Sequence, residues 1–310
     1  MGTPRPWTGF TSTNGRMSRR PACPCLLGSA SMADHPRYSR NVALFGQAGQ
    51  TRVAASRVAI VGAGGIGSHV AQQLSHLGVG ALSVVDPDVV TTSSLNRLVG
   101  ATPQDAAAAS YKAVIAQRMC AAILPEMRIR VVTAPLLDQG AQEAILACTS
   151  VMSCLDDDAA RLDLIAICCR NGLPFFDLAT DTGGSNGNTW YGGRVMFSGA
   201  GERCPLCMDL INQSALQRAA MSVDQLEVDA TIYGVGRDDL NASGPSVVSL
   251  NGVVASLAVT EWMVWTTGLR SPNALVEYRG SVGASFIGND APRPDCYYCR
   301  MWPTQTATGF

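Results

Sequence analysis

Apolar and polar residues along this chain of 310 follow two periods in turn. A short unbroken apolar run at 58–61 (VAIV) and mostly apolar ones at 81–85 (ALSVV), 130–133, 151–155 and 174–179 have the length of strands buried on both faces, as in a parallel sheet. Between them, residues 66–77, 105–123 and 142–147 carry apolar positions at helical spacing. Strand and helix therefore alternate, which predicts an α/β domain. Residues 189–197 read as an edge strand after a glycine-rich loop, and 274–278 as a late strand. The segment 37–50, RYSRNVALFGQAGQ, predicts a short amphipathic helix with Arg37 and Arg40 in solvent. The longest apolar stretch, 247–267, is interrupted by Asn251 and Glu261, so it is expected as a buried or interface helix rather than a membrane span.

The first strand runs into RVAIVGAGGIGS, residues 57–68. Gly62, Gly64, Gly65 and Gly67 let the backbone turn tightly and approach a ligand, so that the unpaired N–H groups of the following helix face an anion. The helix ends at Gly78, and the second strand delivers Asp86, nineteen positions after Gly67, to where a ribose hydroxyl would sit, with Asp88 two further on. Strand, glycines, helix, strand and acid in that order make a βαβ nucleotide cradle. The expected architecture is a Rossmann-like, mixed, mostly parallel sheet with helices on both faces.

The fourth strand leads directly into Asp156, Asp157 and Asp158. In an open α/β sheet the crevice lies at the carboxyl ends of the strands, so Asp86 and Asp156 should flank one opening. Three carboxylates beside a phosphate site repel it unless a cation intervenes, which argues for Mg²⁺ on Asp156. A simpler role, capping the next helix, falls to at least one of them.

Only 15% of residues are charged and the net charge is −1, which implies no broad basic face for nucleic acid or anionic lipid. Residues 1–36, rich in Pro, Ser, Gly and Arg, are expected to be a disordered extension, and Cys23 and Cys25 within it stay unassigned. With eleven cysteines and no continuous apolar leader ahead of them, a reducing cytoplasm is expected rather than a disulfide scaffold. Four of the eleven form two CxxC pairs, Cys204 with Cys207 and Cys296 with Cys299. Four thiolates in that spacing predict a closed, structural, tetrahedral zinc site tying the C-terminal tail to the region near residue 200. A redox role fits less well, because neither pair opens a helix in a thioredoxin-like setting. Residues 208–243 between the pairs are polar and irregular, a surface excursion able to cover a substrate.

Taken together these residues resemble the ThiF/MoeB/HesA family, bacterial relatives of ubiquitin-activating enzymes, over about residues 37–302. The resemblance implies one adenylation domain over 37–310, with its nucleotide-binding part at about 57–180 and a crossover and zinc-stapled part at about 181–302. Family members use ATP to adenylate the C-terminal carboxylate of a ubiquitin-like carrier protein or, in some cases, a peptide. RYSRN resembles the RYxRQ motif whose second arginine, here Arg40, reaches the ATP phosphates of the other subunit of a homodimer. GAGGIGS resembles the phosphate loop, with Gly65 closest to the nucleotide, and DPD the ribose-binding acid Asp86. SLNR resembles NLxR, whose arginine is Arg97, and Lys112 matches a phosphate-contacting lysine. CLDDDAAR resembles CTDNxxxR, whose first aspartate, here Asp156, orients Mg²⁺ and the phosphates. Ser94 stands where NLxR has asparagine, leaving one phosphate-side hydrogen bond shorter or absent, and Asn41 replaces a glutamine. No cysteine occurs between 208 and 295, where members that form their own thioester usually place one.

A C-terminal carboxylate, with an intrinsic pKa of about 3.5, is already an ionised nucleophile at neutral pH. Adenylation therefore calls for positive charge and a helix N-terminus at the phosphates rather than for a histidine base. An NAD-dependent oxidoreductase would explain the glycines and Asp86 but leaves Arg97, Lys112 and Asp156 without roles. A non-catalytic partner subunit would be expected to have lost one of those three.

Overall fold

The structure is a computed structural model that describes residues 33–183, 190–212 and 246–303. Of the expected N-terminal extension residues 1–32, and of the polar excursion residues 213–243, lie outside the described residues. Five apolar runs form the parallel half of an eight-stranded sheet: β1 (Arg57–Val61), β2 (Ala81–Val85), β3 (Arg128–Val132), β4 (Ser150–Ser153) and β5 (Phe175–Gly183). The sheet continues antiparallel through β6 (Trp190–Ser198), β7 (Leu275–Arg279) and β8 (Ala284–Gly288), in the order β3-β2-β1-β4-β5-β6-β7-β8. Strand β1 pairs with β2 on one side and β4 on the other, Val61 standing opposite Val85 and Ser153. The strand order reverses there, and a crevice opens at such a switch point.

Strand alternation divides the core in two. Val58 and Ile60 of β1 face one side of the sheet, where helices α1 (Ser39–Ala55), α2 (Gly65–Leu77) and α7 (Val248–Thr267) supply Val53, Val70, Leu74, Val254 and Trp262. Ala59 and Val61 face the other, with Leu164 and Cys168 of α6 (Asp158–Arg170) and the buried Cys204. Among the described residues, three further helices before α6 and one after α7 complete the set: α3 (Pro103–Ala107), α4 (Lys112–Ile123), α5 (Gln139–Leu146) and α8 (Tyr297–Arg300).

Helix α7 is long and apolar enough to cross a membrane by composition alone. It lies instead along the core: Val254 and Trp262 are fully buried and the Trp262 indole donates to Ser150 Oγ at 3.0 Å.

Three expectations are corrected and one strand is added. The entry segment is helical to Ala55 rather than to residue 50, with a non-helical break at Gly46. The helix expected over 105–123 is two helices, because Ala109 takes a left-handed φ of 47° and Tyr111 bridges to Val89. Lys112 thereby begins α4, its N–H donating to Asp88 O at 2.9 Å. Strand β6, expected at a sheet edge, is interior because β7 pairs along its other side, and β8, which no pattern indicated, forms the edge beyond β7.

Gly78 ends α2 at φ 85°, and a Cβ there would lie 2.4 Å from the ring of the buried Tyr38. Gly78→Ala is expected to cost more than about 1 kcal/mol of stability, since it meets a forbidden φ and a packed ring at once. Urea unfolding checks this, and an unchanged midpoint would contradict it.

Candidate nucleotide cleft and zinc centre

The carboxyl ends of β1, β2, β4 and β5 open into a cleft of about 890 Å³. Gly62, at φ 90°, turns the chain out of β1, where a Cβ would lie 2.6 Å from Cys154 O. Gly64 caps α2 with no side chain bonded to the first turn, which leaves that end of the helix to an anion. Asp86 braces this loop: Oδ2 accepts from Ala63 N at 2.6 Å and Oδ1 from Asp88 N at 2.8 Å. Burial pushes the Asp86 carboxyl up, and those two N–H bonds oppose the rise.

Two cations reach the cleft from beyond β2. Lys112 Nζ lies 2.8 Å from Asp88 Oδ2, and Arg97, whose Nη1 donates to Ser93 O and Asn96 Oδ1, passes its Cδ within 3.5 Å of the space above Gly65. Opposite, the three aspartates have separate occupations. Asp157 caps α6 by accepting from Ala160 N at 2.7 Å. Asp158 pairs with Arg161 Nη1 at 2.8 Å and accepts from Asn212 N at 2.9 Å. Asp156 is exposed at the mouth and has no hydrogen-bond or ion-pair partner among the described residues.

The cleft thus gathers Gly62, Gly64, Gly65, Asp86, Asp88, Arg97, Lys112, Asp156 and Asp157. Three other candidates lie elsewhere. Gly67 packs under the loop, where a Cβ would meet Gly62 O at 1.9 Å. Ser94 is buried with its Oγ accepting from Thr91 N at 3.3 Å, so its hydroxyl serves the turn. Arg40 is exposed on α1, away from this chain's own cleft.

Four lining or supporting residues carried no sequence-level assignment to the site. Asp177, 1% exposed, accepts from Ser153 Oγ at 3.0 Å and lies 3.5 Å from both Arg161 Nε and Arg194 Nη2. Arg194 also donates to Leu210 O at 2.7 Å. Burial pushes its guanidinium pKa down, against the pull of Asp177. The fourth is Asn251 on α7, which borders the glycine loop. An aspartate inside the apolar run PFFDLA was the one available sign of the Asp177 network, since a buried charge demands partners.

On the face of the sheet carrying α6, Cys204, Cys207, Cys296 and Cys299 bring their Sγ atoms within 4.8 Å of one another. The Sγ atoms of Cys204 and Cys296 lie 3.6 Å apart and those of Cys207 and Cys299 3.8 Å. A tetrahedron of sulfurs at Zn–S 2.3 Å has an edge of about 3.8 Å, so the donor set fits zinc in both chemistry and size. Hydrogen bonding with Cys299 draws the Cys204 thiol down to about 6, and burial pushes Cys207 up to about 11.

Comparison with known proteins gives one answer. The chain is 34% identical over 140 residues to the SAMP-activating enzyme E1 of Haloferax volcanii, covering 44% of this chain and 51% of that protein. It is 30% identical over 143 residues to the sulfur carrier protein ThiS adenylyltransferase of Escherichia coli, covering 46% and 56%. The match thus spans about half the length of these curated relatives. The fold superposes on that of Escherichia coli MccB, solved with ATP, at a TM-score of 0.65 and 17% identity, over 86% of this chain and 75% of the other. The ThiF family model matches residues 38–297, and the chain belongs to the ThiF family.

Proposed function

We propose that this protein is an ATP-dependent adenylyltransferase. It activates the C-terminal carboxylate of a ubiquitin-like carrier protein or a peptide as an acyl adenylate and releases pyrophosphate. The observation that carries this reading is the convergence of Arg97, Lys112, Asp156 and the open end of α2 on one cleft, braced by Asp86. The named relatives support it: one activates SAMP, one adenylates ThiS, and MccB was solved with ATP.

The carboxylate attacks the α-phosphorus, the bond to the β-phosphate oxygen breaks, and pyrophosphate leaves. The nucleophile is already ionised, so the barrier lies in bringing two anions together. Arg97 and Lys112 lower it by meeting charge at the phosphates, and the α2 terminus adds backbone N–H groups. Asp86 holds the loop and is placed to accept from a ribose hydroxyl. Mg²⁺, held through Asp156, would neutralise phosphate charge.

Arg40 is exposed on α1 and does not line this chain's own cleft; a homodimer in which it meets the phosphates bound by a second copy would give it a role. The absence of a cysteine in 208–295 favours an enzyme that passes its adenylate to another protein's thiol, persulfide or amine. Buried free thiols such as Cys120 and Cys168 fit a reducing, cytoplasmic setting.

The test is pyrophosphate exchange into ATP with Mg²⁺, using carrier proteins and peptides encoded beside this gene. Exchange that appears only with a free C-terminal carboxylate supports the reading. Binding of nicotinamide dinucleotides without ATP binding would replace it with an oxidoreductase.

A further inference from the structure

Three polar side chains interrupt the buried face of α7, and their neighbours account for two: Thr267 donates to Met263 O at 2.7 Å, and Glu261 is held by four bonds. Glu261 accepts from Arg270 Nη1 and Nη2 at 2.8 and 2.7 Å, from Asn273 N at 2.8 Å and from Asn273 Nδ2 at 3.2 Å. Its carboxylate is fully engaged. Asn251 is 1% exposed, and among the described residues it meets only Ser246: Nδ2 donates to Ser246 Oγ at 3.1 Å, and Oδ1 lies 3.5 Å from the same hydroxyl.

A carboxamide carries two N–H donors and a carbonyl acceptor. One partner leaves most of that capacity unspent, in a stretch of helix whose neighbouring buried positions are Leu250, Val254 and Ala255. Leaving such a group unpaired in an apolar setting is costly, so its partner is to be sought where the side chain points.

It points at the phosphate loop. Asn251 Nδ2 lies 2.1 Å from the position a Cβ on Gly65 would take, and Arg97 Cδ lies 3.5 Å from that same position. The amide therefore occupies the side-chain space of the first residue of α2, beside the arginine, and lines the cleft. Ser94 carries no amide, and its hydroxyl is committed to Thr91, so it supplies no donor at this corner.

We infer that Asn251 is a nucleotide-binding residue of this protein, its second Nδ2 hydrogen donated to a phosphate oxygen of ATP held at the α2 terminus. Ser246 Oγ fixes the amide so that this donor faces the cleft. The inference rests on the adenylyltransferase reading for the identity of the nucleotide.

The experiment compares Asn251→Leu and Asn251→Asp with the unaltered full chain, measuring ATP and adenosine by competition against a fluorescent ATP analogue. Leucine suits the apolar helix and aspartate is isosteric, so the two variants put opposite demands on folding, and melting curves show which are intact. A hydrogen bond to a charged group is worth about tenfold to a hundredfold in affinity. Asn251→Leu is expected to weaken ATP by that factor, and Asn251→Asp by more, because a carboxylate would face the phosphates. Adenosine should bind as before, since it lacks the group in question. Unchanged ATP affinity in a folded variant, or an equal loss for ATP and adenosine, would overturn the assignment while leaving carboxylate-dependent exchange standing. Failure of the unaltered protein to bind ATP would overturn both readings.

Discussion

Alanine at Lys112, Arg97 or Asp156 is expected to slow carboxylate-dependent pyrophosphate exchange by on the order of a hundredfold or more each, the loss of a few kcal/mol of transition-state stabilisation. The melting temperature should move little. Asp156 is exposed and unpartnered among the described residues, and the Lys112–Asp88 pair leaves Asp88 65% exposed, a setting in which an ion pair contributes little to stability. The neighbouring aspartate gives a contrast. Asp157→Ala removes the cap of α6 and should cost about 1 kcal/mol of stability, a loss that Asp156→Ala lacks.

Lys112 carries a second expectation. In the structure it neutralises Asp88 at 2.8 Å, so Lys112→Ala removes a cation and also leaves a carboxylate unopposed beside the phosphates. Adding Asp88→Asn to Lys112→Ala should therefore recover part of the lost rate. Exchange kinetics with stability measured in parallel check the set. Loss of activity that simply tracks loss of folded protein would remove these side chains from the chemistry.

The parallel half of the sheet was legible because its inner strands β1, β2 and β4 are buried on both faces, and the hydrophobic effect writes such strands as mostly apolar runs. Strand β8 was not: Ser285, Phe286 and Ile287 are all exposed, and its existence depends on pairing with β7, which no local pattern records. The break before Lys112 was hidden in an alanine-rich segment that satisfies helical propensity throughout. Contact of Tyr111 with Val89 overrides it, as tertiary structure routinely overrides propensity. At the site, residues that follow a strand end within three positions could be placed from topology alone, as Asp86 and Asp156 show. The pairing of Asp177 with Arg161 and Arg194, and the approach of Asn251 to Gly65, bridge 16 to 186 positions in sequence. Only the folded chain brings them together. Ser94 shows the converse: its place in a motif aims it at the phosphates, yet the tight turn that begins at Thr91 takes its hydroxyl.

Removing zinc is expected to lower the melting temperature by on the order of 10 °C, a loss of roughly 3–5 kcal/mol at about 2–4 °C per kcal/mol for a domain of this size. Structural zinc contributes to folding directly because the unfolded chain has no assembled site. Here the four sulfurs come from two segments that share no hydrogen-bonded strand: Cys204 and Cys207 follow β6, while Cys296 and Cys299 flank and enter α8. Besides this cluster and its packing against Leu162, Ile165 and Cys169 of α6, the segment is tied mainly through Arg293, whose N donates to Cys207 O at 2.8 Å and whose Nη2 donates to Leu206 O at 2.7 Å, bonds that themselves lean on the Cys204–Cys207 knuckle. The loss should therefore begin locally, with α8 and the chain around it releasing before the parallel sheet melts. Elemental analysis should find one zinc per chain, all four thiols becoming reactive only after chelation, and hydrogen exchange should show residues 293–302 opening first. Cys296→Ser should reproduce the effect of the chelator. A chain that holds no metal and melts identically with and without chelator, or one that yields two disulfides under the conditions of the cell, would assign these cysteines to redox chemistry instead.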